Sequence, residues 1–96
     1  MANYRLRLTT QADKHLERIY IEGFERWGEQ QADLYFTRII THFDSLLDNP
    51  YLFMAVDHIK PGYRRSVCGA HTIYYRIVGD VIEVAGLLKR QNPEHL

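Results

Sequence analysis

The hydrophobic period of this chain changes twice, from about two residues to about 3.6 and back, and that double switch restricts the folds open to it. Tyr4, Leu6 and Leu8 alternate with Arg5 and Arg7, as in a half-buried strand. Ala12, Leu16, Ile19, Tyr20, Phe24 and Trp27 then share one helical face. Thr9 or Thr10 offers an N-cap, and Asp13 suits a first turn. Gly23 costs this helix about 1 kcal/mol relative to alanine, and Gly28 is a natural stop. A second apolar face runs through Ala32, Tyr35, Phe36, Ile39, Phe43, Leu46 and Leu47 until Asn49-Pro50 ends it.

The alternation then returns. Tyr63 to Cys68 reads as a strand, Gly69-Ala70 permits a turn, and Ile73, Tyr75 and Ile77 alternate with Thr72, Tyr74 and Arg76. Gly79-Asp80 between apolar runs is a two-residue hairpin signal, and Val81 to Leu88 forms the last strand. The pattern predicts helices near 10–27 and 30–48 and strands near 3–8, 63–68, 72–78 and 81–88. Tyr51 to Lys60 shows no clear period and reads as a surface connection, and Asn92-Pro93 opens a polar tail. The fold class is α+β: an N-terminal strand, an antiparallel helical hairpin, then a three-stranded antiparallel meander. Chain direction reverses at each tight connection, so the first strand is expected to run antiparallel to the second.

At 96 residues the chain is expected to form one domain, residues 1–96. A single cysteine excludes an internal disulfide framework and fits a reducing compartment. No transmembrane run and no signal-peptide h-region are present, which points to a cytoplasmic protein with no membrane partner. The net charge of zero is unevenly spread. Residues 11–48 carry eight acidic against four basic side chains, and residues 60–96 carry three against six. That split can steer a charged partner to one face but is too small for dedicated nucleic-acid binding.

Candidate chemistry is sparse. The histidines at 15, 42, 58, 71 and 95 include no pair at the spacing that aims two rings at one ion, so no metal site and no cofactor are expected. His15 and His42 fall on polar helical positions and read as solvated. Cys68 could be a nucleophile only with a base, for which His71 three residues away across a turn is the candidate, and an orienting group; a lone strand cysteine reads rather as a small buried residue. No catalytic residue is assigned. Tyr20, Tyr35 and Tyr75 fall in core phase, whereas Tyr63 and Tyr74 lie beside arginines on the outer side of the sheet. Aromatic and guanidinium groups mixed in this way suit a protein interface or RNA, and also ordinary cross-strand pairing.

Several segments together resemble the ParE branch of the ParE/RelE toxin superfamily. They are Arg26-Trp27-Gly28, Gln31-Ala32-Asp33, Asn49-Pro50, Asp57-x-Ile59-x-Pro61-Gly62-Tyr63-Arg64, Gly69-x-His71-x-Ile73-x-Tyr75-Arg76, Val81-Ile82-Glu83-Val84 and His95-Leu96. The resemblance implies a non-enzymatic inhibitor of DNA gyrase that blocks replication. A ParD-type antitoxin neutralises it, in a heterotetramer built on an antitoxin dimer that makes the promoter contact. The sister RelE branch cleaves ribosome-bound mRNA. Here Cys68 stands about where those nucleases carry an arginine, and no tyrosine follows Arg90. An mRNA endoribonuclease and a non-toxic interaction module of the same fold remain the alternatives. From the ParE pattern the chain departs at Leu87-Leu88-Lys89-Arg90-Gln91, where Ile-Leu-His-x-Arg is common, and at Ala70, where serine is frequent.

An apolar seam is expected along the edges of hairpin and sheet, receiving an acidic amphipathic antitoxin segment. Arg64, Arg65, Tyr74 and Arg76 are the expected antitoxin contacts, and Lys89 and Arg90 the expected target contacts.

Overall fold

The computed structural model describes residues 3–90. Strand β1 (Arg5–Leu8) leads into helix α1 (Thr10–Trp27) and helix α2 (Glu29–Asp48). Strands β2 (Met54–Ala55), β3 (Tyr63–Cys68), β4 (His71–Val78) and β5 (Val81–Lys89) follow. The sheet order is β1-β5-β4-β3-β2. Predicted His95-Leu96 and the tail from Asn92 lie outside the described residues.

Both helices fall where periodicity placed them. Thr9 caps α1 and also fixes it to the sheet: its hydroxyl accepts the Ala12 N–H at 3.1 Å and donates to the Ala85 carbonyl at 3.1 Å. Ala85 sits at an irregularity in the β4–β5 register, between Val84 paired with Tyr75 and Gly86 paired with Tyr74. Beneath the helices lies one core of Leu16, Ile19, Ile39, Phe43 and Leu46 against Ile73, Tyr75, Ile82, Val84 and Leu87. The Tyr75 hydroxyl donates to the Pro50 carbonyl at 2.6 Å, and burial pushes its phenol up to about 12.

The expected antiparallel relation of the first strand to the strand at 63–68 does not hold. β1 pairs parallel with β5, Leu6 opposite Ile82. β5 and β3 both run antiparallel to β4, so β1 shares the direction of β3. The reason is β2, two exposed residues inside a segment without a period. It pairs antiparallel with β3 and adds a chain reversal that the period could not signal.

The sheet does not support the hairpin along its whole length. In α1 the buried residues are Ala12, Leu16 and Ile19, whereas Phe24 and Trp27, predicted on the same apolar face, are 51% and 65% exposed. Among the described residues, no helix is long and apolar enough to cross a membrane.

Candidate functional site: a cleft beneath the end of the helical hairpin

Where α1 passes beyond the sheet, its inward face continues over a gap. Positions 12, 16, 19 and 23 follow the spacing of one helical stripe, and the fourth is Gly23. Below it opens a cleft of about 540 Å³ whose walls include Ile19, Trp27, Tyr35, His71 and Lys89. That volume lies within the range of ligand and side-chain pockets. A Cβ built on Gly23 would meet nothing nearer than Ala32, at 3.7 Å, so the fold itself does not demand glycine there.

Tyr35 sets the floor. Its hydroxyl oxygen is 2.6 Å from His71 Nδ1 and 3.3 Å from the Cys68 carbonyl, and accepts the Ala70 N–H at 3.0 Å. One phenol proton cannot serve both His71 and Cys68, so His71 donates from Nδ1 whenever Tyr35 donates to Cys68. Burial raises the Tyr35 phenol, opposed by the Ala70 N–H. Burial, then the Lys89 charge, lowers His71. The β3–β4 turn is shaped to this ring. Gly69 has φ +59°, and a Cβ there would lie 2.8 Å from Tyr35 Cε1, so any side chain would be strained and would clash.

The rim carries Arg26 and Lys89 beside Glu22. The Arg26 guanidinium lies 5.2 Å from the Trp27 ring centroid, an exposed cation–π contact. Among the described residues no carboxylate pairs with Arg26. Lys89 approaches Glu22 at 3.6 Å, with side chains 67% and 48% exposed, a pair that holds Lys89 only weakly. Arg90 is exposed, and its N–H donates to the Ala70 carbonyl at 2.8 Å. Of the two predicted target contacts, Lys89 lines the cleft and Arg90 follows it at the end of β5.

The four predicted antitoxin contacts do not share a surface. Arg65, Tyr74 and Arg76 lie on the outer side of the sheet, with Arg65 opposite Tyr74 and Arg76 opposite both Tyr63 and Glu83. Arg64 instead pairs in register with core residue Tyr75. It donates to the Phe53 carbonyl at 2.7 Å and lies 5.1 Å from the Tyr51 ring centroid, holding the segment before β2. Its strand parity is opposite to that of Arg65. Arg76 is also not free: its Nε donates to Glu83 Oε1 at 2.8 Å, while Arg7 holds Oε2 at 2.7 Å. Hydrogen bonds from Arg76 and Arg7 draw the Glu83 carboxyl below its ordinary range. Beside this face, Val56, Ile59, Lys60, Tyr63, Tyr74 and His15 help line a second cavity of about 410 Å³.

Two histidines read as solvated are engaged instead. His15 Nδ1 accepts the Leu87 N–H at 3.0 Å, covering the part of β5 that β1 is too short to pair. His42 Nε2 lies 2.7 Å from the Ser66 hydroxyl, and burial lowers its pKa. Both are helical positions flanking the core, where a polar ring can reach strand groups. Cys68 is buried, with its thiol pushed up by burial. Gly23, Arg26, Trp27, Tyr35 and His71 were not expected as site residues. The available signal was Gly23, a poor helix former at a core position.

The family model for the ParE toxin of type II toxin–antitoxin systems, parDE, matches residues 6–93. Toxin ParE1 of Mycobacterium tuberculosis is 36% identical over 88 residues, covering 91% of this chain and 90% of that protein. Toxin ParE1 of Caulobacter vibrioides is 31% identical over 88 residues, covering 92% and 88%. A chain of the chromosomal ParDE toxin–antitoxin system from P. aeruginosa superposes with a TM-score of 0.83 at 17% identity, covering 95% of this chain and 100% of that one. A chain of the RelBE2 toxin–antitoxin complex from Mycobacterium tuberculosis gives 0.69 at 16% identity, covering 92% and 99%. The fold is therefore the one ParE and RelE toxins share, and the family match with the two ParE1 relatives separates the branches: this chain belongs to the ParE toxin family of type II toxin–antitoxin systems.

Proposed function

We propose that this toxin acts in the cytoplasm by binding DNA gyrase without catalysing a reaction, and that a ParD-type antitoxin neutralises it. The family match over residues 6–93 carries this reading. Site chemistry supports the non-enzymatic part. Cleaving RNA calls for a base near neutral pH, an acid and charge stabilisation around one phosphate. On the outer face, Glu83 is held ionised between Arg7 and Arg76, which makes it a weak base. Buried Cys68 and His71 sit on the helix side of the sheet with Tyr35.

Lys89 and Arg90 are the proposed target contacts, at a projecting and uncrowded end of the molecule. Arg65, Tyr74 and Arg76 are proposed to meet acidic groups of the antitoxin, with Arg64 supporting the same strand from behind. The antitoxin, as a dimer in a heterotetramer, makes the promoter contact, and the toxin makes none with nucleic acid.

Inducing the chain alone tests this. Filamentation with a DNA-damage response, and loss of supercoiling by gyrase with purified protein, are expected. Cleavage of ribosome-bound mRNA with supercoiling untouched would replace this reading with the endoribonuclease, which the 0.69 TM-score to the RelBE2 chain keeps as the second reading. Normal growth would favour the inert module.

A further inference from the structure

We infer that Gly23 is the residue that admits the antitoxin: a helical, acidic-flanked antitoxin segment packs against α1 there and drops one large apolar side chain into the cleft. The inference rests on the proposed toxin–antitoxin pairing and deepens it.

Three observations converge on Gly23. It continues the inward stripe of α1, where Leu16 and Ile19 before it fill the core, yet it contributes no side chain. Glycine at this position weakens the helix, and the 3.7 Å to Ala32 leaves ordinary room for a methyl group. The fold therefore carries the cost without using the space. What the missing side chain preserves is the cleft, and it lets another backbone approach α1 closely.

The cleft also states what should fill it. Its walls are mainly apolar, with an exposed indole at one side and the Tyr35–His71 pair as a polar floor whose Nδ1 and phenol are already engaged. A leucine, methionine or phenylalanine side chain satisfies such walls, whereas a phosphate or sugar would find few unengaged donors. Arg26 at the rim, without a carboxylate partner among the described residues, and Lys89, held only weakly by Glu22, add positive charge that complements carboxylates flanking the anchor. An occupant seated there covers Lys89, so antitoxin and target would exclude one another.

The test titrates wild type, Gly23→Ala, Gly23→Leu and Trp27→Ala with the purified antitoxin encoded beside this chain, and follows thermal unfolding of each variant alone. Gly23→Ala should raise the melting temperature by about 4–8 °C, as expected for removing a helical glycine from a domain of this size. Gly23→Leu should remain folded while binding the antitoxin at least about 100-fold more weakly. A folded Gly23→Leu that binds as tightly as wild type overturns the inference alone. Should Gly23→Leu fail to fold, Trp27→Ala decides. Its side chain is mostly solvent-exposed, so unchanged affinity overturns the inference and a loss of about tenfold or more supports it. A wild-type chain that the antitoxin does not bind overturns the functional reading and this inference with it.

Discussion

The two ends of helix α1 carry the same apolar period and meet opposite fates. From Ala12 to Ile19 the stripe is bedded on β5 and almost fully buried. From Gly23 on it faces a cleft, and the aromatics Phe24 and Trp27 stand 51% and 65% exposed. Periodicity records what a helix must bury, and not whether its own chain supplies the other half. At the first end it reports folding. At the second it fits the association proposed above, since exposed apolar surface rimmed by polar residues marks interaction sites.

The sharpest break in that comparison is in the bedded half. Ile39, fully buried between α2 and the sheet, has no room to relax. Ile39→Ala should cost about 2–5 kcal/mol in urea or guanidinium unfolding, the transfer loss plus the cavity left behind. Leu16→Ala should fall in the same range. A cost under about 1 kcal/mol at either site would mean that the core is not the single cluster described here.

The bedded elements were legible in the sequence because one chain supplies both sides of their contacts. Helices α1 and α2, strand β3 and the Gly79-Asp80 hairpin all follow from period and turn chemistry. What escaped was decided by residues with no periodic signature. Met54-Ala55, a strand of two, reversed the direction of everything after it and made β1 parallel to β5. Arg64 and Arg65 look equivalent as neighbours, yet strand parity sends one to the core side and the other outward. A seam between hairpin and sheet was expected beside Arg64, Arg65 and Arg76, and the cleft under the end of α1 has Arg26 and Lys89 in its lining. Where α1 overruns the sheet depends on how three elements cross, which spacing along one element does not encode.

A smaller effect is expected at the boundary between the two halves, where Tyr35 ties α2 to the β3–β4 turn. Tyr35→Phe leaves the buried His71 ring without this oxygen, and the exposed Ala70 N–H to water, and should cost about 1–3 kcal/mol, the range for an orphaned buried group. Hydrogen exchange at Ala70 should accelerate more than exchange in the middle of β4. Equal acceleration at both would assign Tyr35 a general packing role.

Acid should loosen the same boundary. His42 and His71 have folded values below the unfolded value of about 6.5, each chiefly through burial. Above that value neither state takes a proton and stability is level. As pH falls below it the unfolded chain protonates first, so stability declines until the folded values are passed. The thermal midpoint should therefore fall between about pH 6.5 and 5, and a His42→Gln/His71→Gln variant should flatten that slope. Glu83 acts in the same direction at lower pH. Its folded value is depressed, so its contribution is present above about 4.3 and lost as pH falls through the folded value.

The smallest change expected in stability belongs to the projecting end. Trp27 is 65% exposed, has no side-chain hydrogen bond among the described residues, and lies beside the Arg26 guanidinium. Trp27→Ala should therefore shift unfolding by no more than about 0.5 kcal/mol, as for surface positions, against several for Ile39. The measurement is denaturant unfolding of the free toxin, with the midpoint and the slope both compared to wild type. A loss above about 1.5 kcal/mol would mean that the indole closes the cleft from within and that the end of α1 is part of the fold after all. A negligible loss leaves a large aromatic side chain held in water by a chain that does not need it for folding. That is the property expected of a residue kept for a partner.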